Sequence, residues 1–473
     1  MATTITQKPK YKRLVPVGQE IIFVVSNNTL VQTKTNVKFV AKVHISDGSI
    51  VNLSNTSTQI GTFKTVPNNK GVGIFNFRDV IESYVSSDNT SAEDSSVKGV
   101  KDITGGTYPL HIIDRFSFNN NLSKFFAVQF VVQYLDDVVG SATFGQIVEE
   151  DFANSTSYNI FNGYVPFDAI YKQDGANFGF DMETTPSYVI GSNSSALFLT
   201  NMPDVQYCNA EDYMTIALFR NSFFTQYKIS TYNFSNVLIG TASSLFQNTL
   251  NNGGSAFNNN TKRNFQYIGI GVANIRQRFA AFNTEITAGN VKYYEFTCLD
   301  SSGAAVSKTL TINVNCPTLK GYEPVRLCWL NQWGAWDYYT FTLKSTKTFN
   351  TKGSTYNQLG GSWNDSSYKL NSFKGGKKSF RVNATEKITI NTDYITEEEG
   401  KVFEFMINSP EVMLLSGYIE ETASEFAEKA NNQYVQPVRL MTNNITRKTI
   451  ANDKLIQFTF EVEKTKTLRT QSI

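Results

Sequence analysis

Histidine is nearly missing from this sequence: 473 residues carry two, His44 and His111. Histidine is the side chain that titrates near neutral pH and the commonest metal ligand, so its scarcity removes most general-base and metal chemistry. A Ser-His-Asp triad would have to use one of these two, and neither sits in a recognisable triad context. Cysteine is scarce as well. Cys208, Cys298, Cys316 and Cys328 are too few for a disulfide scaffold in a chain this long and lack the paired spacing of a zinc site. They read as buried free thiols of a protein made in a reducing compartment. Proline (11) is rare and glycine (30) ordinary, which excludes collagen-like and proline-rich linker architectures.

Charge is low and balanced. Only 18% of residues are charged, and 43 Lys+Arg against 41 Asp+Glu leave +2. That balance does not suit a nucleic-acid binder, and no specific nucleic-acid binding is expected. No apolar run approaches the ~20 residues that span a bilayer, so no membrane insertion is expected. The longest, Phe125–Tyr134, has strand length and contains glutamine. The N-terminus lacks the apolar core of a secretory signal. Gly269-Ile270-Gly271 lacks the third glycine and following helix of a dinucleotide site, and no cofactor is expected. The adjacent carboxylates Asp136-Asp137 and Glu149-Glu150-Asp151 would face opposite sides of a strand. Two acids far apart in sequence leave a glycan-degrading enzyme as a minor alternative.

What is plentiful is aromatic: 36 Phe and 23 Tyr, 13% of the chain with Trp. A disordered chain is poor in such residues, so this one buries a core. Short β-branched and aromatic runs bounded by Asn, Asp, Gly and Ser predict strands throughout, giving a mainly β, multi-domain β-sandwich architecture with a few short helices. Val37, Phe39, Ala41, Val43 and Ile45 alternate with a polar face on which His44 falls. Tyr293–Cys298 and Thr309–Val314 predict a hairpin across LDSSGAA, Val138–Ile147 a returning strand, Ser195–Leu199 a strand, and Asn264–Asn274 a strand-like run. Arg78–Val85 suits a short amphipathic helix. Thr396 followed by Glu397–Glu399 predicts a helix ending before Pro410, and a mostly polar helix is expected around Phe426 at 420–430.

The expected organisation is an N-terminal arm at 1–15, a β-sandwich domain with one short helix at 16–153, a middle β-rich domain at 154–262, and a C-terminal β-rich domain with two short helices at 263–473. In the arm, Lys8, Lys10, Lys12 and Arg13 form a basic stretch that reads as a solvated or partner-docking element. Phe426 is the matching docking candidate near the other end.

Three of the four tryptophans crowd into Arg326–Lys344 (RLCWLNQWGAWDYYTFTLK). Trp329, Trp333, Trp336, Tyr338 and Tyr339 are candidates for an interface or for stacking on sugar rings. The plainer reading is a hairpin whose rings fill the core. Alternation puts aromatics on both faces, so some are expected to meet a partner or a neighbouring domain.

RLCWLNQWGAWDYYTFTLKST (Arg326–Thr346) resembles a segment of virion structural proteins of tailed bacteriophages, with phages of Bacteroidetes-type hosts, marine phages and crAss-like phages as the group it points to. EIIFVVSNNTLVQTKTNVKFVAKVHI (Glu20–Ile45), GVGIFNFRDVIESYV (Gly71–Val85), YITEEEGKVFEFMINSPEV (Tyr394–Val412) and NDKLIQFTFEVEKT (Asn452–Thr465) carry the same resemblance, and residues 155 to 262 do not. The resemblance implies a tail, neck/collar or baseplate component, present in several copies in the virion and assembled in the host cytoplasm. Its partners would be copies of itself in a symmetric ring and other tail, neck or baseplate proteins. It transfers no functional residue. The leading expectation is therefore a non-enzymatic structural protein, and the alternative is a receptor- or carbohydrate-binding fibre or tip protein.

Overall fold

The computed structural model describes residues 2–47, 51–54, 58–91, 109–118, 121–166, 168–184, 186–191, 193–221, 224–239, 247–249, 264–315, 321–417, 425, 433–446 and 456–472. The chain is mainly β, with several separate sheets and short helices. It divides into two compact units. The first comprises Met1–Asn315, Leu330–Tyr338 and Gly417–Tyr434; the second comprises Cys316–Trp329, Tyr339–Ser416 and Val435–Ile473. The expected boundaries at 153/154 and 262/263 both fall inside the first unit. Strand pairing explains why: Ser123–Phe126 pairs with Tyr158–Phe161, and Phe116–Phe118 pairs with Ile268–Gln266.

The first unit begins as a sandwich of two sheets. One runs in the order Tyr171–Asp174, Asn177–Phe180, Thr4–Pro9, Ile22–Ser26, Val72–Asn76. The other runs Val15–Pro16, Tyr158–Phe161, Ser123–Leu135, Thr35–Ser46, Gln59–Thr65, with Ile147–Asn154 also paired to Ser123–Leu135. Val37, Phe39, Ala41, Val43 and Ile45 all enter a shared core with Phe23, Phe75, Phe126 and Phe130. Phe23 lies 5.5 Å from Phe130 and 5.8 Å from both Phe77 and Tyr158, at the tilted and edge-on angles that aromatic quadrupoles favour. Burying each such ring stabilises the fold by roughly 1.5–3 kcal/mol.

Several local expectations change here. Residues 1–15 are not a free arm, because Thr4–Pro9 is an inner strand of the first sheet. His44 is not on a solvated face: it is buried, with Nδ1 3.0 Å from the Thr58 hydroxyl. The strand returning from Ser123–Leu135 is Ile147–Asn154, not 138–147. Asp136 builds the connecting loop, accepting hydrogen bonds from the Ser141 and Thr143 hydroxyls and the Val138 N–H. These donors hold its carboxyl below the usual range. The helix expected near Arg78–Val85 is present at Arg78–Glu82. A second one, Asn28–Thr33, was not expected; Asn27 caps it by accepting the Leu30 N–H.

The rest of the first unit holds a four-stranded sheet (Val189–Ile190, Thr215–Arg220, Phe265–Gly269, Phe116–Phe118) and a five-stranded sheet (Val205–Asn209, Leu310–Asn315, Tyr293–Leu299, Gln226–Tyr232, Gln247–Thr249). The hairpin expected across LDSSGAA is present, with Tyr293 opposite Asn313. Residues 195–199 form no strand. The strand expected through Asn274 stops at Gly269, and helices Val272–Arg278 and Ala280–Thr287 follow, so Gly269-Ile270-Gly271 does lead into a helix, against the sequence reading, though it still has no third glycine. A side chain at Gly271 would sit 2.4 Å from the Met214 nitrogen, so only glycine allows this turn. Asn274 then donates to the carbonyls of His111 and Ile113 and accepts the Met214 N–H.

The sheet of the second unit runs Val325–Leu330, Val412–Leu415, Val435–Leu440, Thr459–Lys464, Gly376–Asn391, Thr346–Gln358. Leu468–Ser472 is added on Gly376–Asn391, and Trp336–Phe341 lies beyond Val325–Leu330. The expected helix is Glu397–Asn408, with a full capping box between Thr396 and Glu399. Its Phe403 packs 5.0 Å from Tyr339 and 5.3 Å from Phe460. Phe426 and the helix expected around it lie outside the described residues.

Candidate functional site

The tryptophan-rich segment folds as a tight turn between Val325–Leu330 and Trp336–Phe341. Asn331 makes the turn: its side-chain oxygen accepts the N–H groups of Trp333 (2.9 Å) and Ala335 (3.1 Å). Gly334 supplies the left-handed residue at φ 70°, and a side chain there would meet the Asn162 carbonyl at 2.2 Å.

This turn delivers its rings inward. Trp329, Trp333, Trp336 and Tyr338 are 0%, 3%, 2% and 3% exposed, and Tyr339 is half-buried. Trp336 donates to the Asp88 carbonyl at 2.9 Å and meets the His111 ring edge-on at 4.8 Å. The Tyr338 hydroxyl lies 2.8 Å from His111 Nδ1 and 2.7 Å from Thr215 Oγ1. Trp333 packs 5.3 Å from Tyr188. Trp329 and Tyr339 pack on Phe403 in the second unit. Trp333, Trp336 and Tyr338 are therefore core of the first unit and Trp329 is core of the second, as the plainer reading had it.

The titratable groups beneath the cluster serve the same packing. Asp337 is buried, accepts from the Thr200 hydroxyl, the Asn201 N–H and the Asn331 amide, and is still pushed up to about 6 by burial. Burial lowers His111 to about 3, so it stays neutral. Cys208, Cys298 and Cys328 are buried free thiols, and burial raises the latter two. Cys316 lies outside the described residues. Among the described residues no group of three or more His, Cys, Asp and Glu side chains could hold a metal ion, and no helix is long and apolar enough to cross a membrane.

The basic stretch near the N-terminus is likewise occupied. Lys8 sits in the inner strand, opposite Asn177. Lys10 pairs with Asp174 at 2.6 Å. The backbone N–H groups of Lys12 and Arg13 both donate to Glu183, and Arg13 Nε approaches its other oxygen at 3.4 Å. These contacts tie the segment into its own sandwich. Lys10, Lys12, Arg13 and Glu183 also line an open cleft with Ser155–Ser157 and Asn159.

The aromatic surface lies elsewhere, on a feature that sequence reasoning missed. Thr346–Gln358 and Gly376–Asn391 form a long hairpin paired from Thr346↔Thr389 to Gln358↔Gly376, with a register shift between Ser354 and Thr355. At about 3.4 Å per residue, its 13-residue strand spans roughly 44 Å. Thr346–Gln358, the last strand of its sheet, is largely exposed along its length, and Gly376–Asn391 is exposed over its outer part, up to Val382. The loop 359–375 closes the hairpin and carries the fourth tryptophan. Trp363 is 69% exposed and Leu370 82%, with Leu359, Tyr368 and Phe373 also exposed. The tip is internally braced: Trp363 donates to the Gly360 carbonyl, the Ser362 N–H to the Lys369 carbonyl, and Asn371 to the Ser362 hydroxyl. Trp363 and Tyr368 meet edge-on at 5.8 Å. Residues 346–391 hold eight Lys/Arg and two Asp/Glu, +6 in a chain of +2. The sequence signals were Trp363 itself, isolated in GGSWNDSS, and this local charge.

A scan against protein-family models finds no match, and a search of curated proteins finds none either.

Proposed function

We propose that this chain is a non-enzymatic structural protein of a tailed-bacteriophage virion. It would form part of an oligomeric tail, neck/collar or baseplate assembly and join neighbouring virion proteins. The observation that carries the reading is the long hairpin, whose braced tip holds five large apolar side chains in solvent. Soluble monomers seldom leave such a patch uncovered, and an assembly subunit covers it with a neighbour. The fate of the titratable groups supports it too: His44, His111 and Asp337 are buried within the packing. The resemblance of five sequence stretches to phage virion proteins points the same way. The test is the purified particle. Mass spectrometry and electron microscopy should find the protein in stoichiometric, symmetric copies, and its absence from purified virions sinks the proposal.

A second reading, a receptor- or carbohydrate-binding tip protein, is favoured by one observation. Trp363 and Tyr368 form an exposed aromatic pair of the kind that stacks on sugar rings. Host-glycan binding lost on Trp363→Ala, with particles assembling normally, would support it against the structural role.

A further inference from the structure

The exposed large apolar side chains are not spread evenly. Eight fall within 349–382 on the long hairpin, and five, Val138, Val139, Phe144, Ile147 and Phe152, fall within the loop and strand that follow Leu135. The two regions differ in charge as sharply as they agree in apolarity. Residues 346–391 carry +6. Residues 136–154 carry five acidic side chains and no Lys or Arg. Lys42 neutralises Glu149 at 2.8 Å, while Asp137 and Glu150, the latter accepting the Tyr134 hydroxyl, are exposed carboxylates beside the apolar side chains. On the hairpin, Lys347 is taken by Glu323 and Lys387 by Glu461, while Lys352, Lys374, Lys377 and Arg381 are exposed along the outer part.

A patch of +6 cannot pair with its own copy across a two-fold axis without setting like charges face to face. A basic apolar patch and an acidic apolar patch on the same chain are suited instead to a heterologous contact, where one surface of each copy meets a different surface of the next. Such contacts close into rings when the rotation between copies allows it. From this charge and apolar complementarity we infer that the 346–391 hairpin of one copy docks on the 136–154 segment of the next copy. The bracing within the 359–375 tip pre-organises it, so little order has to be gained on docking. Among the described residues Ile147–Asn154 pairs with Ser123–Leu135 alone, and its other edge is where the incoming hairpin would lie. The inference rests on the multi-copy reading above and names the surfaces that would build it.

Charge reversal tests it on the full-length chain. Sedimentation velocity over a range of concentrations gives the oligomeric state of wild type, of Lys377→Glu with Arg381→Glu, and of Asp137→Lys with Glu150→Lys. All four positions are exposed, and unchanged thermal unfolding shows that the variants fold. Wild type is expected to assemble, and each double reversal to reduce the assembly at least tenfold in association constant. Mixing the two reversed proteins should restore it, because positions 377 and 381 and positions 137 and 150 then again carry opposite charges in every contact between the two proteins. Wild-type assembly that neither reversal changes overturns this contact and leaves the multi-copy reading standing. A wild-type chain that stays monomeric and is absent from particles overturns both. Salt-dependent retardation of a DNA or RNA duplex, lost in the hairpin reversal while assembly is unchanged, assigns the hairpin to nucleic acid and also overturns the contact.

Discussion

Two aromatic hairpins follow one another in this chain and have opposite fates. The first, Val325–Phe341, holds three tryptophans and buries all of them. The second, Thr346–Asn391, holds one and leaves it in solvent. Composition alone ranks them the wrong way round as surfaces. What separates them is what lies against each face. Around the first, Phe403, Tyr188 and His111 supply ring partners, and Asp88 and Thr215 take the polar tips. The second is flanked by lysines and by Asn, Ser and Thr, and further strands are added only along Arg381–Asn391 among the described residues, leaving the outer end without them. Aromatic density marks a place where packing energy is concentrated. Whether that packing is within a molecule or between molecules depends on the charge and partners around it.

The largest expected difference between the two is in stability. Trp336→Ala should cost about 3–5 kcal/mol, since it empties a fully enclosed site and leaves the Asp88 carbonyl without its indole donor. Denaturant unfolding followed by near-ultraviolet circular dichroism measures this, and a loss below about 1 kcal/mol would break the comparison.

The second prediction concerns pH. Asp337 titrates higher in the fold than in the unfolded chain, so its contribution is whole below about pH 3.8 and is lost as pH rises through about 6. His111 has the opposite sign: its contribution is whole above about pH 6.5 and is lost as pH falls towards about 3. The two slopes oppose each other in between. Asp337→Asn should therefore make stability rise more steeply from pH 4 to 6, by something on the order of 2 kcal/mol over the window. His111→Gln should make it fall. Unfolding midpoints at half-unit pH steps would show both, and parallel curves for wild type and variants would remove the electrostatic account.

Smaller again is Gly334→Ala, expected to cost more than about 1 kcal/mol because alanine resists φ 70° and its methyl would press on the Asn162 carbonyl. At the other extreme, Trp363→Ala should leave the unfolding midpoint within about 0.5 kcal/mol of wild type, although tryptophan is the largest side chain on that hairpin. A large destabilisation by Trp363→Ala would mean that the second hairpin is core after all.

Local signals were legible in the sequence. The alternation Val37 to Ile45 buried the set of residues it predicted, and Thr396 with Glu399 formed the capping box at the expected helix start. Signals that depend on distant partners were not. Lys10 and Arg13 read as a free basic stretch because Asp174 and Glu183 lie 164 and 170 residues away. His44 read as solvated because period-two alternation is blind to what covers the second face of a sheet. The candidate surface was legible only in part: Trp363 and the local positive charge are plain in the sequence, but they lie in a polar, turn-rich stretch beside a denser cluster of rings.

One feature of the connectivity bears on how this protein can be altered. The chain passes between its two units at 315/316, 329/330, 338/339, 416/417 and 434/435. The first unit's share of the tryptophan turn, Leu330–Tyr338, reaches it only after the chain has already entered the second. No single cut therefore yields either unit whole, and a fragment ending at Asn315 would lack Trp333, Trp336 and Tyr338 from its interior. In genetic terms the chain is not a string of exchangeable modules. Recombination that swaps one end for a relative's would have to carry matching pieces from both sides of every crossing, whereas the outer end of the long hairpin, 355–379, pairs only with itself among the described residues and can be exchanged as one uninterrupted cassette.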